Sequence, residues 1–229
     1  PAASAAPREA RKQEPDRGRA AQDAPPFKPV KSWDYTDELG ELLFQVVRLE
    51  NGQKADDGKA EKTYRQRRPY KGSWAWGVTE GDYYLGSNGE WFPAKKGGGK
   101  VEPLPAIPDV PYRLFELNDA IASGYLVFVV EGEKAADALW DMGVPATTNA
   151  RGAGKWPDGL SAFFRDALVV ILPDNDPQAT KKDGTPRFHD DGRPVFVGKD
   201  HALMVAQELQ AGAADVRILE LPGLPLKGD

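Results

Sequence analysis

The chain has no cysteine among its 229 residues, which excludes disulfides, thiol nucleophiles and zinc–thiolate sites together. This absence fits a reducing compartment, and we expect a cytoplasmic protein. The longest apolar run, YLVFVV at 125–130, is far shorter than the roughly 20 residues of a membrane span. The N-terminus also lacks the hydrophobic core of a signal peptide. The sequence therefore predicts no membrane association.

Histidine is nearly absent as well, and the only two, His189 and His201, form no Ser-His-Asp pattern. We expect His189 to be exposed in a polar insertion and His201 to cap or line a helix beside Asp200. The net charge of −5 excludes a globally basic nucleic-acid binder, so any such role must come from a local patch. Apolar content of 40% and charged content of 28% are ordinary for a globular protein.

Composition divides the chain into three parts. Residues 1–29 are rich in Ala, Pro and charge and predict a disordered linker. Residues 30–123 contain short strand patterns and predict a small β-rich α+β subdomain, with an irregular excursion over 79–111. Residues 124–229 predict an α/β domain. The chain begins at proline rather than methionine, as expected of a piece of a longer polypeptide.

The third part alternates apolar strand patterns with amphipathic helical ones. Strands are predicted at 125–130, 145–148, 168–172 and 215–219, and helices at 133–142, 159–166 and 199–210. Nearly continuous apolar strands separated by helices predict a parallel sheet with helices on both faces. A Gly- and Pro-rich insertion after residue 177 predicts a surface hairpin.

Carboxylates follow two of these strands. Glu131 ends the run LVFVVE, while Asp174 and Asp176 follow LVVILP. In an open parallel sheet, chemistry collects beyond the carboxyl ends of the strands. If the two strands are neighbours, three carboxylates converge there, and oxygen donors of this kind suit Mg²⁺ or Mn²⁺. Such ions serve phosphoryl chemistry.

The segments VVEGEKAADAL and VVILPDNDP resemble the two signatures of the Toprim domain, the metal-dependent module of bacterial primases, topoisomerases and certain nucleases. The segments ATTNARGAGKW, GKDHALMVAQEL and VRILELPGLPLKGD are similar to those of Toprim primase-helicase proteins of prophages and plasmids. The segments ELLFQVVRLE, KTYRQRRP and PYRLFEL resemble the small subdomain that precedes Toprim in bacterial primases. The resemblance implies a Toprim fold over 124–229 and a primase-like subdomain over 30–123.

The resemblance also implies roles for individual residues. Glu131 takes the place of a glutamate thought to act as general acid/base or metal ligand. Asp174 and Asp176 take the places of a metal-binding pair, and Asp229 resembles a further acidic residue after the last strand. Many Toprim primases carry an aspartate four residues after the glutamate, where this chain has Ala135. Asp137 lies two positions further, about 200° around a helix, and is no simple substitute.

Two basic regions are candidates for phosphate contacts. RGAGKW at 151–156 is no Walker A motif, because Asn149 stands at the first glycine and Trp156 at the Ser/Thr position. A Gly-rich turn with Lys155 still suits a nucleotide phosphate, although a plain tight turn is the alternative. The stretch KTYRQRRPYK at 62–71 suits single-stranded DNA, or else forms a solvated strand face. The predicted nucleic-acid contacts are Arg48, Lys62, Arg65, Arg67 and Arg68, while Trp74 and Trp76 are expected in the core.

The sequence therefore predicts a primase-like nucleotidyltransferase that makes short primers on single-stranded DNA with Mg²⁺ or Mn²⁺. Its expected partners are single-stranded DNA, nucleoside triphosphates and a replicative helicase module. Two rivals stay open: a Toprim nuclease, and a catalytically degenerate module that only binds single strands, for which Ala135 is the main argument. A topoisomerase is disfavoured by the short chain.

Overall fold

The computed structural model describes residues 25–55, 58–95, 100–152 and 154–226. The chain is an α/β protein made of a seven-stranded, mostly antiparallel sheet followed by a four-stranded parallel sheet flanked by helices. Most of the predicted linker and Asp229 lie outside the described residues. The first strand starts at Lys28, two residues before the predicted start of the β-rich subdomain.

The first sheet contains all strands up to residue 104, in the spatial order β1-β2-β3-β4-β6-β5-β7. The strands are β1 (Lys28–Thr36), β2 (Leu42–Lys54), β3 (Ala60–Tyr70), β4 (Ser73–Trp76), β5 (Gly81–Leu85), β6 (Trp91–Pro93) and β7 (Glu102–Leu104). The predicted hairpin of β1 and β2 is confirmed, and both are antiparallel to their neighbours. Its turn is closed by Asp37, whose Oδ1 accepts from the backbone N–H groups of Leu39 and Glu41.

The stretch 79–111 is not an irregular excursion, because it supplies β5, β6 and β7 to the sheet. β5 and β6 form the small antiparallel hairpin that the sequence suggested. β6 also joins β4 in parallel through Ala75 and Trp91, and β7 pairs with β5. These strands are only three to five residues long. Their local pattern is therefore weak, and pairing with partners distant in sequence completes them.

The second half follows the predicted alternation of strands and helices. Its helices are α1 (Leu114–Ala122), α2 (Glu133–Asp141) and α3 (Val197–Leu209), and its strands are β8 (Leu126–Val129), β9 (Ala146–Thr147), β10 (Leu168–Ile171) and β11 (Asp215–Ile218). The sheet order is β11-β10-β8-β9, all parallel. The helix predicted at 159–166 is instead a short 3₁₀ helix, Leu160–Phe164. Gly159 and Asp166, both at positive φ, bracket it and leave no room for a longer helix.

Helices cover both faces of the parallel sheet, as predicted. On one face Val127 and Val169 pack with α1, α3 and the 3₁₀ helix. On the other, Val130 and Ala136 of α2 share a core with Trp33 and Tyr35 of β1. The second core joins the two sheets, so the antiparallel sheet is packed directly against the parallel unit. In the part of the chain that is described, no helix is both long and apolar enough to cross a membrane.

Candidate functional site

The carboxyl ends of β8 and β10 lie side by side. The two strands are parallel neighbours, with Val129 opposite Ile171 at their last pair. The chain continues past this pair to Glu131 on one strand and to Asp174 on the other. The backbone N–H of Asp174 donates to Oε1 of Glu131 at 3.3 Å. The condition set by the sequence, that the two strands be neighbours, is therefore met, and Glu131 and Asp174 are in direct contact.

Glu131 is the electrostatically strained member of this group. Burial raises the pKa of its carboxyl from 4.5 to about 7, and the negative charges of Asp174 and Asp176 add to the effect. The hydrogen bond from the Asp174 backbone acts in the opposite direction. A carboxyl of this kind is partly protonated at neutral pH. It is suited either to proton transfer or to a cation that relieves the repulsion.

A glycine that the sequence analysis passed over allows this packing. Gly198 is the second residue of α3, and a Cβ atom there would lie 2.5 Å from Oε1 of Glu131. It would also lie 2.7 Å from the backbone oxygen of Asp174. Only glycine lets the first turn of α3 approach the carboxylates this closely. Glycine as the second residue of a helical pattern was the available signal.

His201 is buried beside the same carboxylates, so its predicted capping or helix-face role is wrong. It lies in the second turn of α3, and its Nδ1 accepts from the backbone N–H of Gly154 at 3.0 Å. Nδ1 is therefore unprotonated and Nε2 carries the proton. Burial lowers the pKa of the ring. With Glu131 and Gly198 it lines a cavity of about 10 Å³, roughly the room of one water.

His189 is not the free, exposed histidine that was expected. It is partly buried, and its Nε2 lies 3.0 Å from Oδ2 of Asp200, which also accepts from the backbone N–H of Phe196. These two contacts fix the start of α3. His189 thus belongs to the structure around the carboxylates but does not reach them.

The aspartate two positions beyond Ala135 points away from the carboxylates, as its helical position predicted. Asp137 accepts from Trp33 Nε1 at 3.0 Å and from the Tyr112 hydroxyl at 2.8 Å. One turn earlier on α2, Glu133 is buried and accepts from the Tyr35 hydroxyl at 2.9 Å. These two acidic side chains attach the antiparallel sheet to α2. They add nothing to the site at Glu131.

The Gly-rich loop after β9 lies at the same edge of the parallel sheet. Its backbone is held by Gln66, which donates to the Ala150 carbonyl at 3.0 Å, and by His201 at Gly154. Arg151 forms a two-fold ion pair with Asp109, at 2.9 and 2.5 Å. Lys155 is exposed and has no ion pair or hydrogen bond to any other described residue. The loop thus offers one unpaired cation, Lys155, and Ala153 lies outside the described residues.

The five predicted nucleic-acid contacts do not form one patch. Successive strand residues point to opposite faces of a sheet. Arg65 and Arg67 therefore lie on the face away from the parallel unit, where Arg65 stacks 4.7 Å from the Trp76 ring and Arg67 4.0 Å from the Trp74 ring. Arg67 also donates to Gln45 at 2.8 Å.

Arg48 and Lys62 lie on the opposite face from Arg65 and Arg67. Arg48 is partly buried and forms an ion pair with Glu50. Lys62 is exposed and lies 5.8 Å from the ring of Tyr64, which in turn contacts Trp33. This face carries the side chains that pack on the parallel unit, so Lys62 and Tyr64 are the members of the set that border it.

Arg68 is not available to nucleic acid, and its prediction as a contact is corrected. Its side chain is buried, donates to the carbonyl oxygens of Pro105 and Thr79, and lies 5.0 Å from the Tyr83 ring. It ties β3 to the segment between β4 and β7. Trp76 is buried as expected, whereas Trp74 is partly exposed beneath Arg67.

Donor chemistry at the edge fits a hard divalent cation, since Glu131, Asp174 and Asp176 supply carboxylate oxygens and mutual repulsion that a cation would relieve. Over the described ranges, no three or more His, Cys, Asp or Glu side chains stand close enough together to hold a metal ion unaided. The segment after β11 passes beside the pair, where Asn175 donates to the Leu224 carbonyl at 2.8 Å. Its continuation to Asp229 lies outside the described residues.

Comparisons of the chain with protein-family profiles, with curated proteins and with solved structures find no match.

Proposed function

We propose that the chain is the catalytic core of a Toprim-type primase, a nucleotidyltransferase that makes short primers on single-stranded DNA. One observation carries the proposal: two neighbouring parallel strands end in Glu131 and Asp174, which are in contact, with Asp176 close enough to raise the pKa of Glu131. Carboxylates at this edge of an open sheet favour metal-assisted phosphoryl chemistry. The motif resemblance and the adjoining antiparallel sheet favour a primase among such enzymes.

In the proposed reaction, Asp174 and Asp176 hold Mg²⁺ or Mn²⁺, which supplies charge stabilisation at the phosphoryl oxygens. Glu131 accepts the proton of the attacking hydroxyl or shares the cation. Lys155 contacts the phosphates of the incoming nucleoside triphosphate from the Gly-rich loop. Lys62 and Tyr64 contact the template strand, one through phosphate charge and the other by stacking on a base.

The decisive experiment asks for new oligonucleotides. The protein is incubated with single-stranded DNA, labelled nucleotides and Mn²⁺, and the products are sized. We expect short products from the wild type and none from Glu131→Gln, which removes a charge without changing shape. Glu208→Gln is the matched control: it makes the same change at an exposed position of α3, and its products should equal those of the wild type.

Metal binding is tested separately by titrating Mn²⁺ into the wild type and into Asp174→Asn/Asp176→Asn. Heat of binding is expected only in the wild type, and equal binding would contradict the metal assignment. Shortening of the template that depends on Glu131 would instead identify a nuclease.

A degenerate binding module is the second candidate, because Ala135 lacks a carboxylate and Asp137 is engaged by Trp33 and Tyr112. It predicts DNA binding that is unaffected by Glu131→Gln and no product of either kind. A replicative helicase module as partner stays a prediction.

A further inference from the structure

The insertion at 177–196, called here the arm, is an ordered structure rooted at the carboxylates. It begins directly after Asp176 and ends at α3, where Gly198 abuts Glu131. Ala179 and Val195 are joined by a backbone hydrogen bond of 2.8 Å, and Arg187 bonds to both of them, at 2.7 and 3.1 Å. Three short extended segments therefore lie side by side. Two tight turns connect them, with Gly184 and Gly192 at positive φ.

Three basic side chains of the arm have no partner. Lys181, Lys182 and Arg187 are exposed, and none forms an ion pair or side-chain hydrogen bond with another residue in the described part of the chain. The other cation, Arg193, is held by Asp191 at 2.7 Å. Neutralisation within the arm is thus selective.

The acidic side chains of the arm are mostly engaged locally. Asp183 accepts from the backbone and hydroxyl of Thr185 at 3.0 and 2.7 Å, and Asp191 holds Arg193. Beside the free cations stands Phe188, 57% exposed although the arm is otherwise polar. An exposed aromatic ring among unpaired cations is the combination that single strands use, because phosphates need charge and unstacked bases need a flat apolar face.

We propose that the arm is a nucleic-acid contact: Lys181, Lys182 and Arg187 bind the phosphates of a single strand at the carboxylate edge, and Phe188 stacks on one of its bases. The proposal rests on the proposed function in one respect, that the carboxylates act on nucleic acid. It adds a contact surface separate from the antiparallel sheet. Because both ends of the arm adjoin the carboxylates, a strand bound to it would lie next to the reacting atoms.

The test measures the affinity of the full chain for fluorescent single-stranded DNA between 0.05 and 0.5 M salt, in EDTA so that no reaction occurs. Lys181→Ala/Lys182→Ala/Arg187→Ala should lower the slope of log affinity against log salt by about 2, at about 0.7 for each contact. The affinity at 0.1 M salt should fall at least tenfold. Phe188→Ala should weaken binding about tenfold with little change in slope.

Arg165 provides the matched control. It is exposed, has no partner among the described residues, and precedes β10, at the opposite edge of the parallel sheet. Arg187→Ala and Arg165→Ala remove the same charge, and only Arg187→Ala should change affinity and slope. Equal effects of the two would overturn the arm as a contact, and so would an unchanged slope in the triple variant.

The remaining outcomes separate this proposal from the enzymatic one. Loss of binding in the arm variants, from a wild type that makes no primer, would support the arm and count against the primase. Wild-type protein without affinity for single-stranded DNA would overturn both. Preference of the arm for an acidic protein with no affinity for DNA would overturn the arm as a nucleic-acid contact.

Discussion

Replacing Glu131 by Gln should make the metal-free protein more stable at alkaline pH. The carboxyl has a pKa near 4.5 in the unfolded chain and about 7 in the folded protein, so the folded state binds its proton more tightly. Stability contributed by this group is complete below pH 4.5 and is lost as pH rises through 7. Gln carries no charge at any pH and keeps an acceptor for the Asp174 backbone N–H.

The size of the effect follows from the pKa difference. A rise from 4.5 to about 7 corresponds to roughly 3 kcal/mol at full strength. Glu131 is partly exposed, so we reduce this to about 1.5–2 kcal/mol for solvent screening. For a chain of this size the melting temperature of Glu131→Gln should exceed that of the wild type by about 3–8 °C at pH 8.

Urea unfolding in EDTA at pH 4.5, 6 and 8 checks the prediction. The free energy of unfolding of Glu131→Gln should equal that of the wild type at pH 4.5 and exceed it progressively towards pH 8. Glu208→Gln should track the wild type throughout. A gain that does not depend on pH, or a variant less stable than the wild type at pH 8, would refute the reasoning from burial and like charge. Adding Mn²⁺ at pH 8 should shrink the gap by stabilising the wild type.

Three further substitutions test the packing around the site. Gly198→Ala should cost about 1–3 kcal/mol of unfolding free energy and weaken Mn²⁺ binding, because its Cβ meets Glu131 and rigid backbone; Gly212→Ala, with open space around it, is the control, and equal costs would contradict the close approach. Arg68→Met should cost about 2–4 kcal/mol, measured by urea unfolding, since it leaves two carbonyls unpaired; the prediction fails if the protein keeps its wild-type stability. Asp137→Leu should cost about 2–3 kcal/mol by thermal unfolding through the unpaired donors of Trp33 and Tyr112, while leaving Mn²⁺ affinity unchanged; a loss of metal binding would place Asp137 in the site after all.

Local pattern was sufficient where a short run of residues carries its own signal. LVFVVEG and LVVILPDNDP predicted two buried parallel strands ending in carboxylates, and both strands lie where expected. The β1–β2 hairpin followed from its polar turn between apolar strands in the same way. Such runs are legible because burial on both faces or on one face imposes a periodicity on the residues themselves.

Tertiary structure decided which side of an element each residue occupies. Arg65 and Arg68 are three positions apart in one basic stretch, yet one stacks on an outer tryptophan and the other is buried against carbonyls. The role of His201 and the need for glycine at 198 depend on how α3 approaches β8 and the loop at Gly154, none of which is near in sequence. The sequence alone determined that acidic groups would end two buried strands. Their contact, and the cost of holding their charges together, arise only when neighbouring strands and the first turn of a helix bring those groups out of water.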